Sequence, residues 1–103
     1  MAMNEQAAQA LINDWLGELK QRSYNDLTLM IGRTRTETRR GEDGKEYQLE
    51  AEVFWANKKG GDVLVIVSAD DGGLRASHPL SSSFLRGPDG YLAEEWPNGR
   101  FSD

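Results

Sequence analysis

The stretch RTRTETRRGEDGKEYQLEAEVFW, residues 33–55, alternates side chains with a period of two on both sides of a glycine-containing turn. This pattern predicts two antiparallel β-strands joined as a hairpin. A three-residue loop, 42–44, with Gly44 in the left-handed conformation of a G1 bulge, would pair Gly41 with Lys45. A two-residue loop would instead mismatch the faces of the two strands.

The register of the hairpin follows from that loop. Counting back, Thr34 faces Glu52 on one side of the sheet, and Arg33 faces Val53 on the other. The alternation upstream extends the first strand back to residue 27, so that its apolar row would be Leu27, Leu29 and Ile31, with Ile31 opposite Trp55.

An amphipathic helix is predicted from about residue 4 to about residue 21. Apolar side chains recur there at spacings of three and four, while polar side chains fill the other side. The apolar stripe consists of Ala7, Ala8, Leu11, Ile12, Trp15, Leu16 and Leu19. Asn4 is the predicted N-cap.

The segment VLVIVSA, residues 63–69, is apolar on both sides, which is typical of a central strand. A shorter strand near residues 74–78 would end at Pro79. We therefore predict an α+β fold in a single domain, residues 1–103. One N-terminal helix packs on a four-stranded antiparallel meander, and an irregular C-terminal tail follows.

The face of the sheet away from the helix raises a question of what covers it. We expect Leu64 and Ile66 to face the helix, which leaves an apolar patch of Met30, Phe54, Val63, Val65 and Val67 on the opposite face. Either the aromatic tail folds back over this patch, or a second copy packs sheet to sheet. The second alternative predicts a homodimer through Met30, Phe54, Val65 and Val67.

Composition limits the classes of function. The 103-residue chain has no cysteine, which excludes disulfides, thiolate metal sites and a cysteine nucleophile. Its net charge of −5 opposes non-specific binding to nucleic acid or to anionic lipid. The N-terminus lacks the features of a signal peptide, and the longest aliphatic run, residues 63–67, is too short to span a bilayer. We expect a soluble, cytoplasmic protein.

The candidate catalytic residues are weak. His78, the one histidine, stands three residues before Ser81, but no Gly-x-Ser-x-Gly motif accompanies them. The carboxylate pair Glu50 and Glu52 is expected on a solvated sheet face. One histidine without cysteine does not make a zinc site, and no phosphate-binding glycine loop is present. We predict binding rather than catalysis, with no metal and no cofactor.

The arginines of the first strand are the predicted binding residues. A strand of about thirteen residues reaches about 44 Å, whereas the helix reaches about 27 Å, so the helix would leave part of the hairpin uncovered. The uncovered end would be a basic shelf of Arg33, Arg35, Arg39 and Tyr47. Such a shelf could bind a carboxylate, a phosphate or an acidic partner protein. Alternatively, these arginines pair with nearby glutamates along the strand.

The blocks EVFW, residues 52–55, and VIVSADDGGLRASHPLSSSFLRGPDG, residues 65–90, resemble a group of small uncharacterised bacterial proteins with the same order of elements. This resemblance implies no activity. The order of one helix followed by a sheet is similar to that of cystatin-like folds. The size and layout also resemble immunity proteins, which neutralise a cognate bacterial toxin.

Three hypotheses of function follow. The first is a bacterial interaction protein, immunity-like, that binds a toxin or another protein through an exposed sheet face or the hairpin tip. The second is a binder of small anions, or a weak enzyme, that uses the arginine shelf. Nucleic-acid binding comes third, because the overall charge opposes it. It would use the basic clusters at the two tips: Arg39, Arg40 and Lys45 at one, and Lys58 and Lys59 at the other.

Overall fold

The computed structural model describes residues 4–70 and 80–94. In these two ranges, two helices, α1 (Glu5–Lys20) and α2 (Tyr24–Thr28), precede five strands: β1 (Thr34–Arg40), β2 (Glu46–Trp55), β3 (Val63–Asp70), β4 (Leu80–Arg86) and β5 (Leu92–Glu94). The strands form one antiparallel sheet in the order β1-β2-β3-β4-β5. The predicted α+β fold, a long N-terminal helix on an antiparallel meander, is confirmed.

Helix α1 begins and ends where the sequence predicts. The Asn4 side chain accepts a hydrogen bond from the Ala7 N–H at 3.1 Å, which satisfies one of the free donors of the first turn. The apolar stripe of α1 packs on one face of the sheet. The buried core consists of Ala7, Ala8, Ile12, Trp15, Leu16, Leu19, Leu27, Tyr47, Leu49, Ala51, Val53, Val63, Val65, Val67, Ala69 and Phe84.

Polar contacts fix α1 along the sheet as well. The Gln9 side chain donates a hydrogen bond to the Ser82 hydroxyl at 3.0 Å. At the other end of the helix, the Arg86 guanidinium donates to the Lys20 carbonyl, one of the carbonyls that a helix C-terminus leaves without an intrahelical partner. These two contacts hold α1 over β4.

The predicted loop of the first hairpin is confirmed. Gly44 has φ +83°, the Gly41 N–H donates to the Lys45 carbonyl at 2.8 Å, and Thr34 pairs with Glu52. A second loop of the same kind joins β4 to β5, where Gly90 has φ +94°. The chain that was expected to be an irregular tail therefore adds a fifth strand as far as Glu94.

Gly44→Val is expected to cost about 1–3 kcal/mol, because a β-branched residue is strained at positive φ. A urea titration followed by circular dichroism measures this loss. Gly17→Val is the matched control, since Gly17 lies within α1 and a Cβ there would meet nothing within 4 Å. Equal losses in the two variants would contradict the left-handed loop.

The prediction that the first strand begins near residue 27 is wrong. Residues 24–28 form α2, whose N-cap Ser23 accepts a hydrogen bond from the Asp26 N–H at 3.0 Å. Leu27 is fully buried, whereas Leu29 is 74% exposed and Met30 packs against the core. Three alternating apolar residues were too short a pattern to distinguish a strand from a short capped helix.

The predicted faces of β3 are also reversed. Trp55 pairs with Val63, which places Val63, Val65 and Val67 beneath α1 with no exposed surface. Because β3 is apolar on both sides, its sequence does not show which of its side chains face α1. The connection 56–62 determines this, since it sets the register of β3 against β2. Val65 and Val67 therefore cannot line the homodimer surface predicted for them, and Met30 does not lie on the sheet. Of those four residues, Phe54 alone is on the face away from α1.

Candidate interaction surfaces

The predicted arginine shelf is not a single site, because Arg39 is already engaged. Its Nε donates to Glu37 at 2.7 Å, and its terminal nitrogens donate to Glu18 at 3.3 and 3.4 Å. Its guanidinium carbon also lies 5.3 Å from the centre of a Trp15 ring. Arg39 therefore holds β1 against α1, and its guanidinium is already paired with two carboxylates and stacked near Trp15.

Tyr47 is also misplaced by the sequence-based prediction, since it is fully buried. Strand β1 is shorter than predicted: it has 7 residues and α1 has 16, so both elements reach about 23 to 24 Å. The first turn of α1 covers this end of the hairpin: a Cβ at Gly41 would lie 3.4 Å from the Ala7 Cβ and 3.0 Å from the Tyr47 ring. Tyr47 belongs to the core rather than to a binding shelf.

The Tyr47 hydroxyl instead organises the hairpin tip. It donates a hydrogen bond to the Asp43 carboxylate at 2.6 Å, and the Lys45 N–H donates to the same carboxylate at 3.2 Å. The pKa of Asp43 is lowered, chiefly by the hydrogen bond from Tyr47, against the opposing effect of desolvation. Asp43 therefore joins the loop to the core through Tyr47.

Asp43 should make stability fall in acid. A carboxyl group with a lowered pKa in the folded state stabilises the fold above its unfolded pKa of about 3.9, and this contribution is lost as the pH falls through the lower folded pKa. Thermal melts of the wild type and of Asp43→Asn measure the effect. The variant should lose stability less steeply between about pH 5 and about pH 2, the range in which carboxyl groups titrate. Parallel curves would contradict the role given to the Tyr47 hydrogen bond.

Arg33 and Arg35 are the remaining residues of the predicted shelf, and both are exposed. Arg33 lies in the turn before β1, where its N–H donates to the Met30 carbonyl at 3.1 Å. Arg35 lies within β1, opposite Ala51. Within residues 4–70 and 80–94, no carboxylate lies within 4 Å of either guanidinium. These two cations are available to an external anion.

The sheet face away from α1, here called the outer face, carries an apolar row that the sequence-based reasoning missed. Phe54 pairs with Leu64, Leu64 with Leu85, and Leu85 with Ala93, so four adjacent strands contribute one side chain each. Phe54 is 43% exposed, and the other three are partly exposed. Ile66, also partly exposed, lies one position further along the same face of β3. A correct assignment of the β3 side chains to the two faces of the sheet would have predicted this row.

Acidic and hydroxyl side chains border the apolar row on one side. Glu52 pairs with Ile66, and Glu50 follows on the same face of β2. Neither carboxylate has a cation within 4 Å in the part of the chain that the structure describes. Thr34 and Thr36 lie opposite them on β1. The outer face is therefore apolar at one end and negatively charged in its middle.

Other candidate sites receive no structural support in the described ranges. Among those residues, no three histidine, aspartate or glutamate side chains are placed to hold a metal ion. The described helices include none that is both long and apolar enough to cross a membrane. The predicted strand near 74–78, with His78, and the tail residues beyond Glu94 lie outside the described residues.

Comparisons with family models, with curated proteins and with solved structures find no match to this chain. The resemblance to immunity proteins and to cystatin-like folds stays a prediction.

Proposed function

We propose that this protein acts by binding another protein through the outer face of its sheet. The observation that supports this proposal is the apolar row of Phe54, Leu64, Leu85 and Ala93, which crosses four strands without a polar interruption. Contiguous apolar surface of this kind on a small domain is typical of an interaction site. Burial of the row against a partner would contribute about 25 cal/mol for each Å² removed from water.

The charges beside the row specify the partner's chemistry. Glu50 and Glu52 lack cationic neighbours among the described residues, and the whole chain carries a net charge of −5. A partner that presents apolar side chains flanked by lysine or arginine would complement both features and would be steered toward this face. A basic bacterial toxin neutralised in the cytoplasm, as expected of an immunity-like protein, is one partner of this class.

A photo-crosslinking residue placed at Phe54 would identify the partner in cells, with the same residue at Gln21, the C-cap of α1, as the control position. The binding of the purified partner is then measured by calorimetry. Leu64→Ser should weaken it at least about tenfold, because an apolar anchor at the centre of an interface contributes more than 1 kcal/mol or so. Leu29→Ser is the matched control, since Leu29 is an exposed leucine outside the sheet.

Two results would contradict this proposal. One is unchanged affinity in Leu64→Ser with the fold intact. The other is crosslinking that is equal from Phe54 and from Gln21.

Anion binding by Arg33 and Arg35 is a second candidate function, favoured by their exposure and by the lack of a neighbouring carboxylate in the described ranges. The double variant Arg33→Ala/Arg35→Ala should leave the melting temperature nearly unchanged, because exposed charges contribute little to stability. Binding of inorganic phosphate, measured by NMR titration, should be lost. The double lysine variant should be impaired too, because lysine lacks the bidentate geometry of arginine. Phosphate binding that survives the alanine substitutions would exclude this candidate.

A further inference from the structure

Among the residues that the structure describes, strand β1 is the first strand of the sheet and has one side unpaired. It pairs with β2, and within the described residues no other strand adjoins it. The hydrogen bond from Gly41 to Lys45 fixes the alternation along the strand, so residues 35, 37 and 39 exchange backbone hydrogen bonds with β2. The backbone N–H and C=O groups of Thr34, Thr36, Thr38 and Arg40 therefore point outward, which makes this edge a template for another strand.

We propose that a second copy of this chain pairs with this edge, β1 against β1, as an antiparallel pair centred on Thr36. A twofold axis through this point gives an isologous interface, to which each copy contributes the same surface. Thr36 then lies opposite Thr36 of the partner subunit, and Thr34 lies opposite the partner's Thr38. The outward backbone groups of Thr34, Thr36 and Thr38 are satisfied in both strands, and the threonines form favourable cross-strand pairs on the outer face.

The charges on the other face of β1 select this register. Arg35 comes to lie opposite the partner's Glu37 in a non-hydrogen-bonded pair, where Cα atoms approach to about 4.5 Å. The twofold axis produces this pair twice. Glu37 binds the Nε of Arg39 through Oε1, so its Oε2 is placed to accept a bond from the partner's Arg35. The dimer thus supplies the carboxylate that Arg35 lacks in the described part of one chain.

Neighbouring registers are less complementary. Centring the pair on Glu37 places Glu37 opposite the partner's Glu37, with like charges in contact. Centring it on Thr38 places Glu37 opposite the partner's Arg39, but each of these groups already has the other as its ion-pair partner within one chain. In that register Arg35 lies opposite the partner's Gly41, where no carboxylate meets it. In the proposed register Arg33 lies opposite the partner's Arg39, and the twofold axis produces this like-charge contact twice. Glu18 and Glu37 already balance the charge of Arg39.

The expected complex is a continuous sheet of the ten described strands of two copies, with α1 of both copies on one face and both outer faces on the other. Edge pairing of two short strands buries less surface than the roughly 1,600 Å² of a standard interface, so the dimer should dissociate on dilution. This inference does not rest on the proposed function, because the β1 edge and the apolar row are different surfaces.

Sedimentation velocity over a wide concentration range tests the dimer. The wild type should convert from monomer to dimer with increasing concentration. Arg35→Glu and Glu37→Arg should each weaken self-association at least about tenfold, since each substitution places like charges opposite each other twice. An equal mixture of the two variants should form a heterodimer, because every charge at positions 35 and 37 then meets its opposite.

Two further variants separate the edge from the rest of the molecule. Thr36→Pro removes the outward N–H at the centre of the pair, at an edge position that tolerates proline, and should give a folded monomer. Glu50 lies on β2, away from the edge, and Glu50→Arg makes the same charge change as Glu37→Arg. This variant should leave the dimer unchanged. Thermal melts confirm that each variant folds.

Several results would overturn the proposal. A wild type that stays monomeric at every concentration would do so, as would self-association of Arg35→Glu at the wild-type strength. A mixture of the two folded charge variants that stays monomeric would exclude the register. Loss of the dimer in Leu64→Ser with retention in Thr36→Pro would assign self-association to the outer face instead.

Discussion

Trp15→Ala is expected to lower the free energy of unfolding by about 3–5 kcal/mol, the usual cost of deleting a large aromatic side chain from a core. Trp15 is 4% exposed and lies in the main core cluster of α1 and the sheet. Its ring also supports the Arg39 guanidinium, which bridges β1 to α1. Since domains of this size are stable by only about 5–15 kcal/mol, the variant should be close to unfolding.

A urea titration at equilibrium measures this loss. Gln6→Ala is the control on α1, since Gln6 is exposed and alanine favours a helix, so its stability should stay within about 0.5 kcal/mol of the wild type. A Trp15→Ala variant as stable as Gln6→Ala would show that α1 packs by another face.

Val65→Asp is expected to unfold the protein, whereas Leu64→Asp should be tolerated. Val65 has no exposed surface and packs beneath α1 between Val53 and Phe84, so a carboxylate there would be buried without a partner. Such a change costs more than about 4 kcal/mol. Leu64 is the adjacent residue of the same strand and lies partly exposed on the outer face.

Circular dichroism and one-dimensional NMR spectra of the two variants decide between the two possible faces of β3. If Leu64→Asp unfolds and Val65→Asp retains dispersed methyl signals, the parity of β3 is the reverse of that described above, and the apolar row does not exist.

The elements that the sequence predicts correctly are those whose signals are local. The loop at Gly44 needs a residue that adopts positive φ, and the capped apolar stripe of α1 repeats over several turns. The register of β1 against β2 then follows by counting, because side chains alternate strictly along a strand. These parts of the fold required no knowledge of distant contacts.

The elements that the sequence-based predictions missed depend on tertiary structure. Helix α2 is short, and it is held by a hydrogen bond from the Tyr24 hydroxyl to the Gly61 carbonyl, 37 positions away in the chain. The faces of β3 depend on the connection 56–62, whose hydrogen bond from Ala56 to Asp62 precedes the first pair of the strand. Neither contact has a periodic signature in the sequence.

The candidate site changed for the same reasons. Strand β1 begins at Thr34 and is shorter than predicted, so α1 covers Tyr47 and contacts Arg39. Of the four residues of the predicted shelf, Arg33 and Arg35 remain exposed. Reversing β3 moved Leu64 to the outer face, where it joins Phe54. The strongest candidate surface is therefore one that depends on pairing across four strands.

Titration of the isotope-labelled protein with a short peptide of alternating leucine and lysine tests the role of the outer face most directly. Binding through the outer face predicts NMR shift changes confined to the strands around Phe54, Leu64 and Leu85, with weaker binding in Leu64→Ser and with a matched peptide of leucine and glutamate. Shift changes centred on Arg33 and Arg35, or stronger binding of the acidic peptide, would contradict it.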